Sequence, residues 1–87
     1  MIQRFRKKPV VVTAVQWLGT DESYREVLAM KGDACVMKSG ERLFFLTPEG
    51  YKEARIGDWI VTGVAGELYA YPADIFAANF EPPWGEP

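Results

Sequence analysis

Glycine and proline interrupt the second half of the chain at short intervals, and these interruptions constrain the fold more than any other feature. Between them stand short runs rich in β-branched and aromatic side chains, which favour strands. The runs cover residues 34–38, 41–47, 51–54, 59–62 and 67–71. Strands separated by turns at roughly 8–12-residue spacing predict a small curled antiparallel β-sheet or a partly open barrel of about 5–6 short strands.

One segment in the first half has the pattern of a helix. Thr20 or Asp21 can cap its start, because a short side-chain oxygen accepts hydrogen bonds from the free N–H groups of a first turn. Apolar side chains then follow at i, i+3 and i+4: Tyr24, Val27 and Leu28. Gly32 suits the position after the last turn. We therefore predict one main α-helix over about residues 21–31 and an α+β fold, with a short helical turn at 72–79.

The run from Val10 to Trp17 predicts the first strand. Pro9 precedes it and favours an extended conformation for the residue before. Apolar side chains occupy both faces of this run, so we expect the strand to be central in the sheet or covered on both sides.

Charge is unevenly distributed along the 87 residues. Residues 1–8 form a basic N-terminal arm that holds Arg4, Arg6, Lys7 and Lys8 and no acid. Residues 9–87 hold six cations and twelve carboxylates, a net −6, and the two parts sum to −2. A body this acidic lacks the basic face of a nucleic-acid-binding domain, so we do not expect nucleic acid as a partner. The arm guards a strand edge or lines a small-anion site, and both interpretations stay open.

Several absences argue against catalysis. The chain contains no histidine, the commonest general base and a common metal ligand. It also contains no phosphate-binding glycine motif and no metal-ligand spacing. Asp58 is interpreted as a turn residue that accepts backbone N–H groups, and Cys35 as a buried small hydrophobe without a base to activate it. We therefore expect a protein without catalytic residues, metal or cofactor.

The same features indicate a compartment. A single cysteine forms no intrachain disulfide, and neither a signal peptide nor an apolar run of ~18 residues is visible. The expected location is the cytoplasm, without membrane insertion.

Aromatic side chains make up 14% of the chain, and not all of them fit inside. Neighbours on a strand face opposite ways, so one of Phe44 and Phe45 points outward, whereas Tyr69 and Tyr71 share a face. Exposed rings beside cations stack on flat ligands or form interfaces between copies. A core this small also favours a homo-oligomer. The candidate ligand-binding residues are Arg4, Arg6, Lys7, Lys8, Arg55, Trp59, Tyr69 and Tyr71.

Two blocks of sequence carry a resemblance: FRKKPVVVTAVQW at 5–17 and GDWIVTGVAGELYAYPADIFAANFEP at 57–82. Together they are similar to a family of small phage and prophage proteins that begin with RKKPV, continue into EAVQW and end with GDWI, GE and EP blocks. Thr13 stands where a Glu is common in that family. The family has no assigned activity, so the resemblance implies phage origin and action in the host cytoplasm, and it carries over no catalytic residue.

The sequence thus predicts a single domain over 1–87, with a Pro-rich tail at 82–87, that acts by binding and not by catalysis. The first expectation is a phage-type protein that binds or sequesters a small anionic or nucleotide-like ligand. The alternative is a protein-interaction or structural accessory module of a phage, whose partner is a host or phage protein.

Overall fold

The computed structural model describes residues 1–4 and 11–81, which contain six strands and two helices. The strands are β1 (Thr13–Gln16), β2 (Val36–Ser39), β3 (Arg42–Thr47), β4 (Gly50–Ala54), β5 (Trp59–Thr62) and β6 (Leu68–Tyr71). The helices are α1 (Asp21–Met30) and α2 (Ala73–Asn79). The α+β class and the main helix at 21–31 are confirmed. The Pro-rich tail at 82–87 and residues 5–8 of the basic arm lie outside the described residues.

The six strands form two three-stranded antiparallel sheets, with no closed barrel in the described part of the chain. We call β1-β5-β6 the first sheet and β2-β3-β4 the second sheet. The second sheet is a meander of two hairpins, whereas the first sheet pairs β1 with the distant β5. β1 occupies an edge of the first sheet in the described residues, so the first of the two alternatives, a central strand, is wrong. Its apolar side chains instead reflect packing against α1.

A capping box begins α1. The Ser23 N–H donates to the Thr20 hydroxyl at 3.1 Å, and the Thr20 N–H donates to the Ser23 hydroxyl at 3.2 Å. Each bond satisfies an N–H group that lacks a partner within the helix. The helix ends at Met30, and Gly32 follows with a positive φ of 58°, as expected after a last turn. Neither described helix has the length and apolar character that crossing a membrane requires.

The hydrophobic core joins α1 to one face of each sheet. Its buried members are Trp17, Val27, Leu43, Phe45, Ala54, Ile60 and Leu68. The Trp17 indole Nε1 donates to the Glu41 carbonyl at 3.1 Å, so this ring links the end of β1 to the turn between β2 and β3. Phe45 is buried and Phe44 is only half-buried on the opposite face of β3, which confirms that one of the two points outward.

Cys35 is exposed, so its prediction as a buried residue is wrong. Val36 packs against the core, and side chains alternate along an extended chain. Cys35 and Met37 are therefore turned to the opposite, solvent-facing side. The sequence left this choice open because apolar residues occupy both alternating sets.

Candidate functional site

A groove of about 970 Å³ lies between the two sheets, lined on one side by β3 and β4 and on the other by residues 67–72. β4 and β6 are edge strands, so the groove lies between an open edge of each sheet. Phe45 and Leu68, both buried, also line it and give it an apolar base. This volume is within the range of about 300–1,000 Å³ that is typical of ligand pockets.

Three of the predicted binding residues line this groove: Arg55, Tyr69 and Tyr71. Arg4 is exposed and does not line it, and Arg6, Lys7 and Lys8 lie outside the described residues. Trp59 does not line it either, because its ring stacks on Phe76 of α2, with 4.5 Å between ring centroids and an interplanar angle of 8°. The fold thus brings Arg55, Tyr69 and Tyr71 together, whereas the Trp59 ring packs against α2.

The strand register of β6 places the two tyrosines. Tyr71 lies opposite Trp59 in β5, and Tyr69 lies opposite Val61, so both point to the same face. Their ring centroids are 6.5 Å apart, which confirms the prediction of a shared face. The Tyr71 ring also meets Phe80 edge to face at 5.4 Å. The contact with Phe80 therefore restricts the Tyr71 ring, whereas the Tyr69 side chain is 47% exposed at the groove.

Glu67 and glycine 63 fix the orientation of Tyr69. The Tyr69 hydroxyl donates to the Glu67 carboxylate at 3.2 Å. A Cβ atom at Gly63 would collide with that carboxylate and with the Tyr69 ring, so only glycine lets both lie there. The hydrogen bond to Glu67, together with its negative charge, raises the pKa of Tyr69 above its ordinary value.

A tight turn presents Arg55. Its backbone N–H donates to the Asp58 carboxylate at 3.0 Å, and the Asp58 N–H donates back to the Arg55 carbonyl at 2.9 Å. Gly57 adopts a positive φ of 99° within this turn. The interpretation of Asp58 as a turn residue is confirmed. One oxygen of the Asp58 carboxylate accepts the hydrogen bond from the Arg55 N–H. The carboxylate therefore adds negative charge to the groove wall and is not an isolated acid.

Carboxylates outnumber cations around the groove. The cations are Lys52 and Arg55, and the carboxylates are Glu49, Glu53, Asp58 and Glu67. Arg42 donates two hydrogen bonds to Glu53, at 3.0 and 2.9 Å, which hold the pKa of that carboxyl below its ordinary value. With Glu53 neutralised in this way, three carboxylates face two cations. Neither Lys52 nor Arg55 forms an ion pair within the part of the chain that the structure describes.

Sequence reasoning missed Lys52, Leu46 and Glu67 as groove residues. No local motif marks them, because the groove forms only when the hairpin of β3 and β4 packs beside β6. Among residues 1–4 and 11–81, no group of three His, Cys, Asp or Glu side chains is placed to hold a metal ion.

Comparisons of the chain with protein-family models, with curated proteins and with solved structures find no match. The resemblance to small phage proteins therefore stays a prediction. The function proposed below is inferred from the geometry and charge of the groove.

Proposed function

We propose that the protein is a non-enzymatic binding module whose groove takes an extended peptide segment of a partner protein. The observation that supports this most directly is the position of the groove between the open strands β4 and β6. Open edges and flanking side-chain pockets are the two features that peptide-binding domains use to hold an extended segment.

Exposed apolar side chains at the groove supply contact area for such a segment. Leu46 is 45% exposed and Tyr69 is 47% exposed, and both line the groove. Large side chains that are exposed in the free protein and become buried in a complex contribute most of the binding energy at protein interfaces. These two residues are the anchors that we assign to the partner contact.

Charge favours a basic segment. Among the described residues, Glu49, Asp58 and Glu67 form no salt bridge and face Lys52 and Arg55, so the groove attracts a peptide with an excess of positive charge. The resemblance to phage and prophage proteins supports a host or phage protein as the source of that peptide, and the host cytoplasm as the place where the two meet.

The test is a selection of random peptides displayed on phage against the 87-residue protein, followed by titration calorimetry of synthetic hits. We expect basic peptides with micromolar affinity. Leu46→Ala should weaken their binding by about 10-fold, because a buried leucine side chain contributes roughly 1.5–3 kcal/mol. Leu28→Ala on α1, at 40% exposure and outside the groove, is the matched control and should leave affinity unchanged. A selection without enrichment, or equal effects of the two variants, contradicts the proposal.

A small anionic or nucleotide-like ligand is the second candidate. It is favoured by Lys52 and Arg55, which have no ion-pair partner in the described residues and share the groove with Tyr69 and Tyr71. In this case a nucleotide panel at millimolar concentration raises the melting temperature, since a ligand that binds only the folded state stabilises it. Arg55→Ala should abolish the shift, whereas Arg25→Ala on α1 should not. An unmoved melting temperature across the panel removes this candidate.

A further inference from the structure

One edge of β4 has no strand partner in the described residues, and the inference drawn from it depends on the peptide-binding function proposed above. We propose that the partner peptide pairs through its main chain with Tyr51 and Glu53 of β4, and so extends the second sheet into the groove. The occupant is an extended basic segment of the partner protein.

The hydrogen-bond alternation of the second sheet identifies which backbone groups are free. The Leu46 N–H donates to the Cys35 carbonyl at 2.9 Å, so Leu46 directs its backbone groups towards β2. In an antiparallel strand the next residue directs its groups to the other side. Phe45 therefore bonds Lys52 in β4, its partner in the register.

The same alternation applies along β4. Because Lys52 bonds β3, its neighbours Tyr51 and Glu53 point their N–H and C=O groups away from β3. β4 pairs only with β3 in the described residues, so this edge has no strand partner there. Two residues at i and i+2 thus offer two donors and two acceptors at the spacing that a further strand needs.

Exposure distinguishes this edge from the one across the groove. Tyr51 is 56% exposed and Glu53 is also exposed, so a partner strand can reach these two residues. On β6, the Gly63 N–H donates to the Glu67 carbonyl, which leaves Leu68 directed to the free edge, but Leu68 is only 4% exposed. The edge of β4 is therefore the accessible one.

A strand added to β4 would present its side chains alternately to two environments. One set shares the face of Phe45 and Lys52 and enters the groove, and the other shares the face of Leu46, Tyr51 and Glu53 at the rim of the groove. The set that enters the groove meets the apolar base at Phe45 and Leu68 and the surplus carboxylates of the rim. This arrangement predicts a peptide with an apolar residue at every second position, flanked by Lys or Arg.

A pair of substitutions at one position tests the main-chain contact. The probe is a synthetic peptide from the selection described above, and its affinity is measured by titration calorimetry. Tyr51→Pro removes an outward N–H without touching the ladder to β3, and proline is tolerated on such edges. Tyr51→Ala removes the side chain and keeps the N–H. We expect Tyr51→Pro to weaken binding at least about 10-fold and Tyr51→Ala less than about 3-fold.

N-methylation of the peptide backbone gives a second test that does not depend on how the variants fold. Each N-methyl group removes one N–H donor from the peptide. The affinity should therefore fall when every second peptide residue is methylated, and stay unchanged when the residues between them are methylated. Equal losses of affinity at all N-methylated positions, or equal effects of Tyr51→Pro and Tyr51→Ala in folded protein, would falsify strand addition. The proposed function survives that result if Leu46→Ala still weakens binding, and it fails together with this inference if no peptide binds.

Discussion

The two sheets are alike in size and strand direction, yet their surroundings differ. Ile60 and Leu68 of the first sheet face the core, and α2 lies against part of its other face through the stack of Trp59 on Phe76. The second sheet faces the core through Leu43, Phe45 and Ala54, with Val36 packed against them. Within residues 1–4 and 11–81, no other helix or strand covers its outer face, which shows Met37, Leu46 and Tyr51, each about half exposed.

This difference separates scaffold from interaction surface. Tyr69 is the one exposed residue of β5 and β6, so the first sheet offers a partner little beyond the groove, whereas an exposed apolar surface beside a groove is typical of an interaction site. The homo-oligomer that the sequence predicts stays a prediction, and the exposed outer face of the second sheet is where we expect two copies to meet. Light scattering at increasing concentration measures that association directly.

The largest expected effect on stability comes from Trp17, which joins the two sheets. Trp17→Ala removes a fully buried ring and the hydrogen bond to the Glu41 carbonyl, and should cost about 3–5 kcal/mol. Domains of this size are marginally stable, so the variant should be largely unfolded in circular dichroism at room temperature. Leu18→Ala, next along the chain and half exposed, is the control and should stay folded. A cooperative melt close to that of wild type in Trp17→Ala would contradict the assignment of this ring to the centre of the core.

The second effect compares the two faces of β3. Phe45→Ala empties a site in the core and should destabilise the protein by about 3–4 kcal/mol in urea unfolding. Phe44→Ala removes a half-buried ring that contacts the Arg42 guanidinium at 4.9 Å, and should cost about 1 kcal/mol. Similar losses for both variants would mean that the outer face of the second sheet is covered after all.

A smaller effect tests the cover of the first sheet. Phe76→Ala removes the ring between Trp59 and Phe80 and should cost about 1–2 kcal/mol, since it loses two stacked contacts made by the one half-buried residue of an otherwise exposed helix. The Trp59 fluorescence should also shift towards that of a solvated indole. Ile75→Ala, 46% exposed on the same helix, serves as the control. If both variants leave stability and fluorescence unchanged, α2 does not cover this sheet.

The smallest effect concerns the ion pair on the outer face of the second sheet. Hydrogen bonds from Arg42 lower the pKa of Glu53 below its ordinary value of 4.5. The contribution of the pair is therefore present above that ordinary value and is lost as the pH falls through the lowered pKa. Glu53→Gln should reduce the melting temperature slightly at neutral pH and not in strong acid, because exposed pairs contribute little. A melting-temperature difference between wild type and Glu53→Gln that grows as the pH falls would contradict a lowered pKa of Glu53.

Local patterns predicted most of the elements correctly. The capping residues around Thr20 and the positive φ at Gly32 follow from side-chain chemistry within a few residues, so α1 could be placed from sequence. The turns at Gly40 and Gly57 could be placed in the same way. These signals act over short distances and need no knowledge of the partner strand.

The division into two sheets and the groove between them could not be predicted in this way. Cys35 and Val36 are both apolar, and only the packing of Val36 on the core decides which of them is exposed. Trp59 was a candidate for ligand stacking, but its ring meets Phe76, a residue from a helix that follows β6. Lys52 and Tyr69 reach one groove through strands that do not pair with each other. Each case depends on contacts between distant residues.

The most direct measurement of the central claim is a backbone amide chemical-shift map of the isotope-labelled protein with a selected basic peptide. The account predicts changes along β4 and at groove residues such as Leu46 and Tyr69, with slowed hydrogen exchange at the Tyr51 and Glu53 amides. It also predicts unchanged shifts in α1. Shifts confined to α2 and to Trp59, which it contacts, with the β4 amides unprotected, would contradict it.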